Sequence, residues 1–192
     1  MNMQHIKRLL SATLLALPIA ALLSACKATA MGQRPELSPA QKRLDGIGLT
    51  LVVDAVEGAE MLGVEFFADG SEFPFYAKSQ MVKRNREIMA FPSGVVPERV
   101  RVVWKDSAKI VGRPDKPNKN TYAGNILGDY TIPIASRIPD AVVQEIRKNG
   151  GGLRLKFRLK PDGVMFGWDI ERISGGLPRH SMPGGDFLET WY

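Results

Sequence analysis

The stretch Leu153-Arg154-Leu155-Lys156-Phe157-Arg158-Leu159-Lys160-Pro161-Asp162-Gly163-Val164-Met165-Phe166-Gly167-Trp168-Asp169-Ile170-Glu171 decides the fold. Apolar side chains take every second position on both sides of Pro161-Asp162-Gly163, the period of a strand with one dry face. Proline presets the bend and glycine accepts positive φ, so the three residues between the runs are a turn. Keeping the apolar residues on one face pairs Leu159 with Val164, Phe157 with Phe166 and Leu155 with Trp168, and sets Arg154 opposite Asp169. A slip of one residue would turn the basic row into the core, so the register is firmly specified. The row Arg154, Lys156, Arg158, Lys160 has two readings. One is a solvated face that guards a sheet edge against aggregation. The other is a docking surface for an acidic partner or phospholipid headgroups. Asp169 and Glu171 share the face opposite and are expected to pair with that row.

The rest of the body reads as more strands. Ile47 to Val56 alternates Ile47, Leu49, Leu51, Val53 and Ala55 against Gly48, Thr50, Val52, Asp54 and Val56. Val64 to Ala68 ends at the turn pair Asp69-Gly70. Phe73 to Lys78 is extended, with Pro74 placing it toward an edge. Glu87 to Phe91, Arg99 to Lys105 and Tyr130 to Ile134 follow; in the second of these, basic residues alternate with Val100, Val102 and Trp104. Residues 106–129 hold basic, proline and asparagine residues with little apolar period, and are expected to form a long exposed loop. Pro139 to about Lys148 has a helical stripe of Val142, Val143 and Ile146, stopped by Asn149-Gly150-Gly151-Gly152. From Ser174 the chain is rich in Gly and Pro. It is expected to be a coil whose aromatic end (Phe187, Leu188, Trp191, Tyr192) docks on the body or stays mobile as a set of anchors. The expected fold is mainly β (α+β): an antiparallel sheet domain or two-layer sandwich with one short helix near residues 139–148, within a single β-rich domain over 45–192.

The N-terminal residues read differently. Lys7 and Arg8 precede the apolar run Leu9 to Leu23, and Leu23-Ser24-Ala25 leads to Cys26, the only cysteine. This is a secretory signal over residues 1–25, and it resembles the lipobox of bacterial lipoproteins, in which the cysteine is acylated after cleavage. The run is about 15 residues, short of the roughly 20 that span a bilayer; an uncleaved anchor is the alternative reading. Residues 26–44, small, polar and proline-containing, read as a tether, within which Ser38 can cap a helical turn begun at Pro39. Removing Lys7 and Arg8 lowers the formal charge of +6 by two. That mildly basic balance suits an anionic membrane surface or an acidic partner, and the export signal argues against nucleic acid. A single cysteine allows no internal disulfide.

Catalytic patterns are sparse. The chain has two histidines, His5 in the leader and His180, which is expected to face solvent in the tail. There is no Gly-x-Ser-x-Gly elbow, no Cys/His cluster for zinc and no Walker or Rossmann glycine pattern. Paired carboxylates remain: Asp54, Glu57 and Glu60, or Asp169 and Glu171. These need a cleft to set their spacing. No cofactor, metal or enzymatic activity is expected.

The lipobox is followed by Val96-Pro97-Glu98-Arg99-Val100-Arg101-Val102-Val103-Trp104, then Asp129-Tyr130-Thr131-Ile132-Pro133-Ile134, then Ile138-Pro139-Asp140-Ala141-Val142-Val143-Gln144-Glu145-Ile146. From about Val95 to Ile173 this order resembles a class of small Gram-negative lipoproteins of unassigned domain type. Members of that class are often encoded beside phospholipase effectors of type VI secretion systems and act as their immunity proteins. The resemblance implies a protein that is lipidated at Cys26 and binds and neutralises a cognate lipase in the periplasm. Lys27 after the cysteine fits sorting to the periplasmic face of the outer membrane, with inner-membrane retention as the alternative. Lys109, Arg113, Lys116, Lys119 and Tyr122 of the long loop, with Trp191 and Tyr192 at the end, are the expected partner contacts. A structural envelope lipoprotein supporting a secretion machine or cell-wall assembly is the competing expectation.

Overall fold

The computed structural model describes residues 36–91, 94–113 and 115–190; Cys26, the leader and the first part of the tether lie outside the described residues. In chain order the elements are α1 (Pro39–Lys42), β1 (Leu49–Ala55), β2 (Glu60–Ala68), β3 (Tyr76–Val82), β4 (Glu87–Ala90), β5 (Arg99–Lys105), β6 (Ile110–Arg113), β7 (Lys116–Tyr122), β8 (Ile126–Pro133), α2 (Asp140–Asn149), β9 (Gly152–Lys160), β10 (Gly163–Ser174) and β11 (Leu177–Gly185). One sheet has the order β11-β10-β9-β1-β4, a second β3-β2-β5-β8, and β6-β7 form a separate ribbon. The fold is mainly β with antiparallel pairing, apart from the parallel pair β1–β9.

The two main sheets meet through the apolar faces that period two predicts. Phe66 of β2 sets its ring edge-on to Phe157 of β9, with centroids 5.4 Å apart, and Phe157 meets Phe166 at 5.2 Å. Leu51, Val53, Val100, Val102, Leu153, Leu155, Leu159 and Ile170 fill the space around them and are buried. At roughly 25 cal/mol per Å² of apolar surface removed from water, this layer drives folding. The register of β9 and β10 is the expected one: Leu159 faces Val164, Phe157 faces Phe166, Leu155 faces Trp168 and Arg154 faces Asp169.

The sandwich has two unlike ends. At one end the strands β2 and β8 finish, β1, β5 and β9 begin, and both helices pack. α2 buries Val142, Val143 and Ile146, and ends on Gly150 with Arg147 and Lys148 in its last turn, close to the expected 139–148. α1 is the capped turn foreseen at Ser38: the Ser38 hydroxyl accepts from the Gln41 amide, and the Gln41 side chain accepts in return from Ser38 N–H. Gln41 also donates to Asp69 and to the Val96 carbonyl, and Leu44 is in the core. Residues from Leu37 on therefore belong to the compact body, and the expected tether over 26–44 is shorter by its last residues. At the far end lie the β9–β10 turn and an open cleft of about 520 Å³, lined by Met61, Leu62, Trp104, Leu127 and Pro161 with Glu60, Lys105 and Asp106.

Two expectations are corrected. The long exposed loop at 106–129 is mostly strand: the β5–β8 pair continues through Asp106–Asn125 and Lys109–Ala123 backbone bonds into β6–β7. The ribbon bends back over the outer face of β2, so its inner positions carry Thr and Tyr and not an apolar alternation. The coil expected from Ser174 contains β11, hydrogen-bonded along β10 from Gly167 to Ser174. Pro178 and Pro183 withhold amide donors from what is an edge strand, the position where proline is tolerated.

Candidate protein-interaction face

The bent ribbon is held by two contacts on β2 and a third on the β2–β3 loop. Tyr122 lies across Gly63, where a Cβ would stand 2.9 Å from the Tyr122 Cβ and 2.5 Å from the Ser107 carbonyl oxygen. Gly63 also has φ +53, so this position combines a close approach with left-handed backbone. Glu65, 2% exposed, accepts from the Thr121 hydroxyl at 2.8 Å and faces Lys105 Nζ at 3.1 Å, and Lys105 donates onward to Thr121 and the Tyr122 carbonyl. Arg113 reaches the Glu72 carbonyl, pairs with Asp115 and lies over the Phe73 ring at 5.4 Å.

These contacts sort the expected partner residues. Lys109 is exposed at the base of the ribbon, and Lys119 is exposed with its ammonium 5.0 Å from the Phe73 centroid. Arg113 is largely committed to the body. Tyr122 is buried against β2, with burial and the Glu65 charge pushing its phenol above the usual tyrosine range; its ring is not offered to a partner. The Lys116 side chain, Trp191 and Tyr192 lie outside the described residues. What the sequence reading missed is apolar: Ile110, Ile126 and Leu127 are 59%, 54% and 64% exposed around the same ribbon base. Leu127 also lines the end cleft. Ile126 and Leu127 are neighbours at the start of β8 and Leu127 borders the cleft, so these exposed apolar residues, with Lys109 next to Ile110 in sequence, are the candidates for a contact site.

The basic row of β9 is not a wet face. Arg154 and Lys156 are 1% and 0% exposed. Arg154 donates from Nε and Nη2 to the two oxygens of Asp169, both at 2.7 Å, and Lys156 Nζ lies 3.1 Å from Asp169. Arg158 forks onto Asp54 of the parallel strand β1 at 3.0 Å, where Arg86 joins at 2.7 Å. After β11 the chain turns at Asp186, whose carboxylate accepts from the Phe166 amide and pairs with Arg137. Residues 187–190 then run back over the row as a strap. Phe187 covers Arg158 and Lys156, with centroid distances of 4.4 and 5.0 Å. The Glu189 carbonyl accepts from Lys156 at 2.9 Å and the Thr190 carbonyl from Arg154 at 3.0 Å. Burial pulls the Lys156 ammonium below the usual lysine range, against the opposing pull of Asp169.

The polar chemistry of the body is thus absorbed internally. The buried carboxylates Asp54, Glu65 and Asp169 each face fixed cations of the same domain. Asp169 pairs with the β9 row as expected, while Glu171 stands 3.8 Å from Arg154 and has its shorter contact, 3.1 Å, with the His180 ring. His180 is not the solvent-facing residue expected, since its side chain is only 5% exposed. Among the described residues no three His, Cys, Asp or Glu side chains are grouped to hold a metal ion, and no helix is long and apolar enough to cross a membrane. Comparison with protein-family models, with curated proteins and with solved structures found no match to this chain.

Proposed function

We propose that this protein is a lipid-anchored binding module of the bacterial envelope that captures and neutralises a secreted toxin, a lipase of the type VI class, at the periplasmic face of the outer membrane. The observation that carries the reading is the exposed patch of Ile110, Ile126 and Leu127 with Lys109 at the ribbon base, beside the end cleft. Apolar side chains carried on hydrogen-bonded strands present a contact surface whose backbone is already set, which lowers the ordering cost of association. Lys109 beside Ile110 adds a positive charge that would favour an acidic partner and contribute to on-rate more than to affinity. The internal pairing of Asp54, Glu65 and Asp169 supports a role in grip over one in bond breaking, because carboxylates already paired inside the fold are not offered to a substrate. Acylation at Cys26 would hold the module where incoming lipase meets its substrate membrane. Mixing the purified protein with the type VI lipase effectors of its own organism tests this: a complex at micromolar concentration with loss of lipase activity is expected for one of them, and neither being seen with any would refute it.

A further inference from the structure

We infer that the β10–β11 arm is a membrane-contacting element, seated on an anionic bilayer beside the lipid anchor. It rests on the anchored reading for its location and adds how the module stands on the membrane. Strand β9 stops at Gly152, which pairs with Glu171. β10 and β11 continue past it as a two-stranded arm, with Arg172 opposite Arg179, Ile173 opposite Pro178 and Ser174 opposite Leu177. Gly175 and Gly176, at φ 61 and 77, make the tight turn that positive φ at both central residues allows. The tip carries Ile173 and Leu177, 70% and 61% exposed. Ile173 and Leu177 fall on opposite faces of the hairpin, so the arm would enter the interfacial layer of a bilayer end-on, with one aliphatic side chain on each side of its tip.

The arm is rigidly mounted. Arg172 donates to the Gly150 carbonyl and to Glu145, both at 2.9 Å, fixing the stem to the C-terminal half of α2. α2 is in turn joined to α1 by Arg43–Asp140 at 2.8 Å and by Arg147 donating to the Arg43 carbonyl. α1, near the first described residues, packs at the end from which the arm projects. Lys42, Arg147, Lys148 and Arg179 are exposed on the elements at that end; of the acids there, Asp140 and Glu145 pair with Arg43 and Arg172, and Glu36 and Asp45 are exposed beside α1, so cations outnumber the exposed acids. Exposed cations around an apolar tip match anionic phospholipid headgroups over an acyl layer. Leu127, Ile126 and Lys109 lie at the opposite end, so a bilayer-seated arm would turn the interaction patch toward the periplasm.

The test uses the full lipidated chain in vesicles of phosphatidylcholine with and without phosphatidylglycerol. Acylated Cys26 leaves an introduced thiol as the sole site for an environment-sensitive fluorophore, placed by Ser174→Cys at the tip or by Asp162→Cys on the far β9–β10 turn. The tip label is expected to shift to the blue and to be quenched by lipid-borne quenchers when phosphatidylglycerol is present, while the far label stays water-like. Adding Ile173→Asp and Leu177→Asp should abolish the tip shift while the protein still floats with the vesicles. A chain that floats with its tip label in water overturns the arm alone. A chain that neither floats nor shifts overturns the anchor as well. A tip shift that appears only when a protein partner is added also overturns the arm.

Discussion

Asp169 and Arg154 face each other across the β9–β10 ladder and share two hydrogen bonds of 2.7 Å, with both side chains out of water. Lys156 adds a second cation to the same carboxylate at 3.1 Å. Removing one partner of a buried pair leaves an uncompensated charge, which costs about 3–5 kcal/mol. Asp169→Asn is therefore expected to destabilise the domain by that amount in denaturant unfolding. Lys156→Met should change stability by less than about 1.5 kcal/mol, because Arg154 alone satisfies Asp169 and a desolvated ammonium is removed. Equal losses from the two variants would contradict this account of the row.

The strap is expected to be structural. Phe187 is buried on the cationic row, and a Phe→Ala truncation at such a site typically costs about 3 kcal/mol or more. Phe187→Ala should also open the row to solvent, so amide hydrogen exchange along β9 and β10 should speed up near Lys156 while that of β2 and β5 stays slow. Unchanged exchange on β9 would mean that the strap is not what keeps the row dry.

Gly63 carries the bend of the ribbon. Gly63→Ala combines positive φ with a Cβ in contact with Ser107 and Tyr122, and a loss of about 1–3 kcal/mol is expected. Because the Tyr122 ring must move, its near-ultraviolet circular dichroism should change along with the melting temperature. A neutral substitution would show that the ribbon does not sit on β2 as described.

Stability should fall in acid through Asp186. Its hydrogen bond from Arg137, with a further one from the Phe166 amide, holds its carboxyl below the ordinary aspartate range. A carboxyl lowered in the folded state binds its proton less readily there than in the unfolded chain. Its contribution is therefore whole above about pH 4, the unfolded value, and is lost as pH falls through the lowered folded value. Asp186→Asn should flatten the stability profile below about pH 4 relative to the parent; parallel profiles would contradict the assignment.

What the sequence carried was set by local period. β5 begins and ends at Arg99 and Lys105 as its alternation indicated, and the β9–β10 register followed from Phe157 and Phe166 having one dry face between them. The burial of Arg154 and Lys156 was not legible, because it depends on a strap more than thirty residues downstream. The pairing of Arg158 with Asp54 depends on the parallel contact of β9 with β1, 104 residues apart. One signal was present: Asp54, Asp169 and Glu171 stood on the faces opposite the dry ones, at the positions that meet basic residues. β7 lacks an apolar alternation because its Thr121 faces the buried carboxylate of Glu65, and β11 carries prolines because it is an edge strand. The exposed patch was half seen, through Lys109 and Lys119, while Ile110, Ile126 and Leu127 were hidden in a segment read as loop.

The central claim is that the ribbon base grips a toxin, and a titration of lipase activity against paired variants tests it most directly. Ile126→Asp with Leu127→Asp should keep the parent melting temperature within a few degrees, since both side chains are largely exposed. Each is expected to act as a contact worth about 2 kcal/mol, so the inhibition constant of the double variant should rise by roughly a thousandfold. Inhibition that is unchanged in a folded double variant would contradict the account.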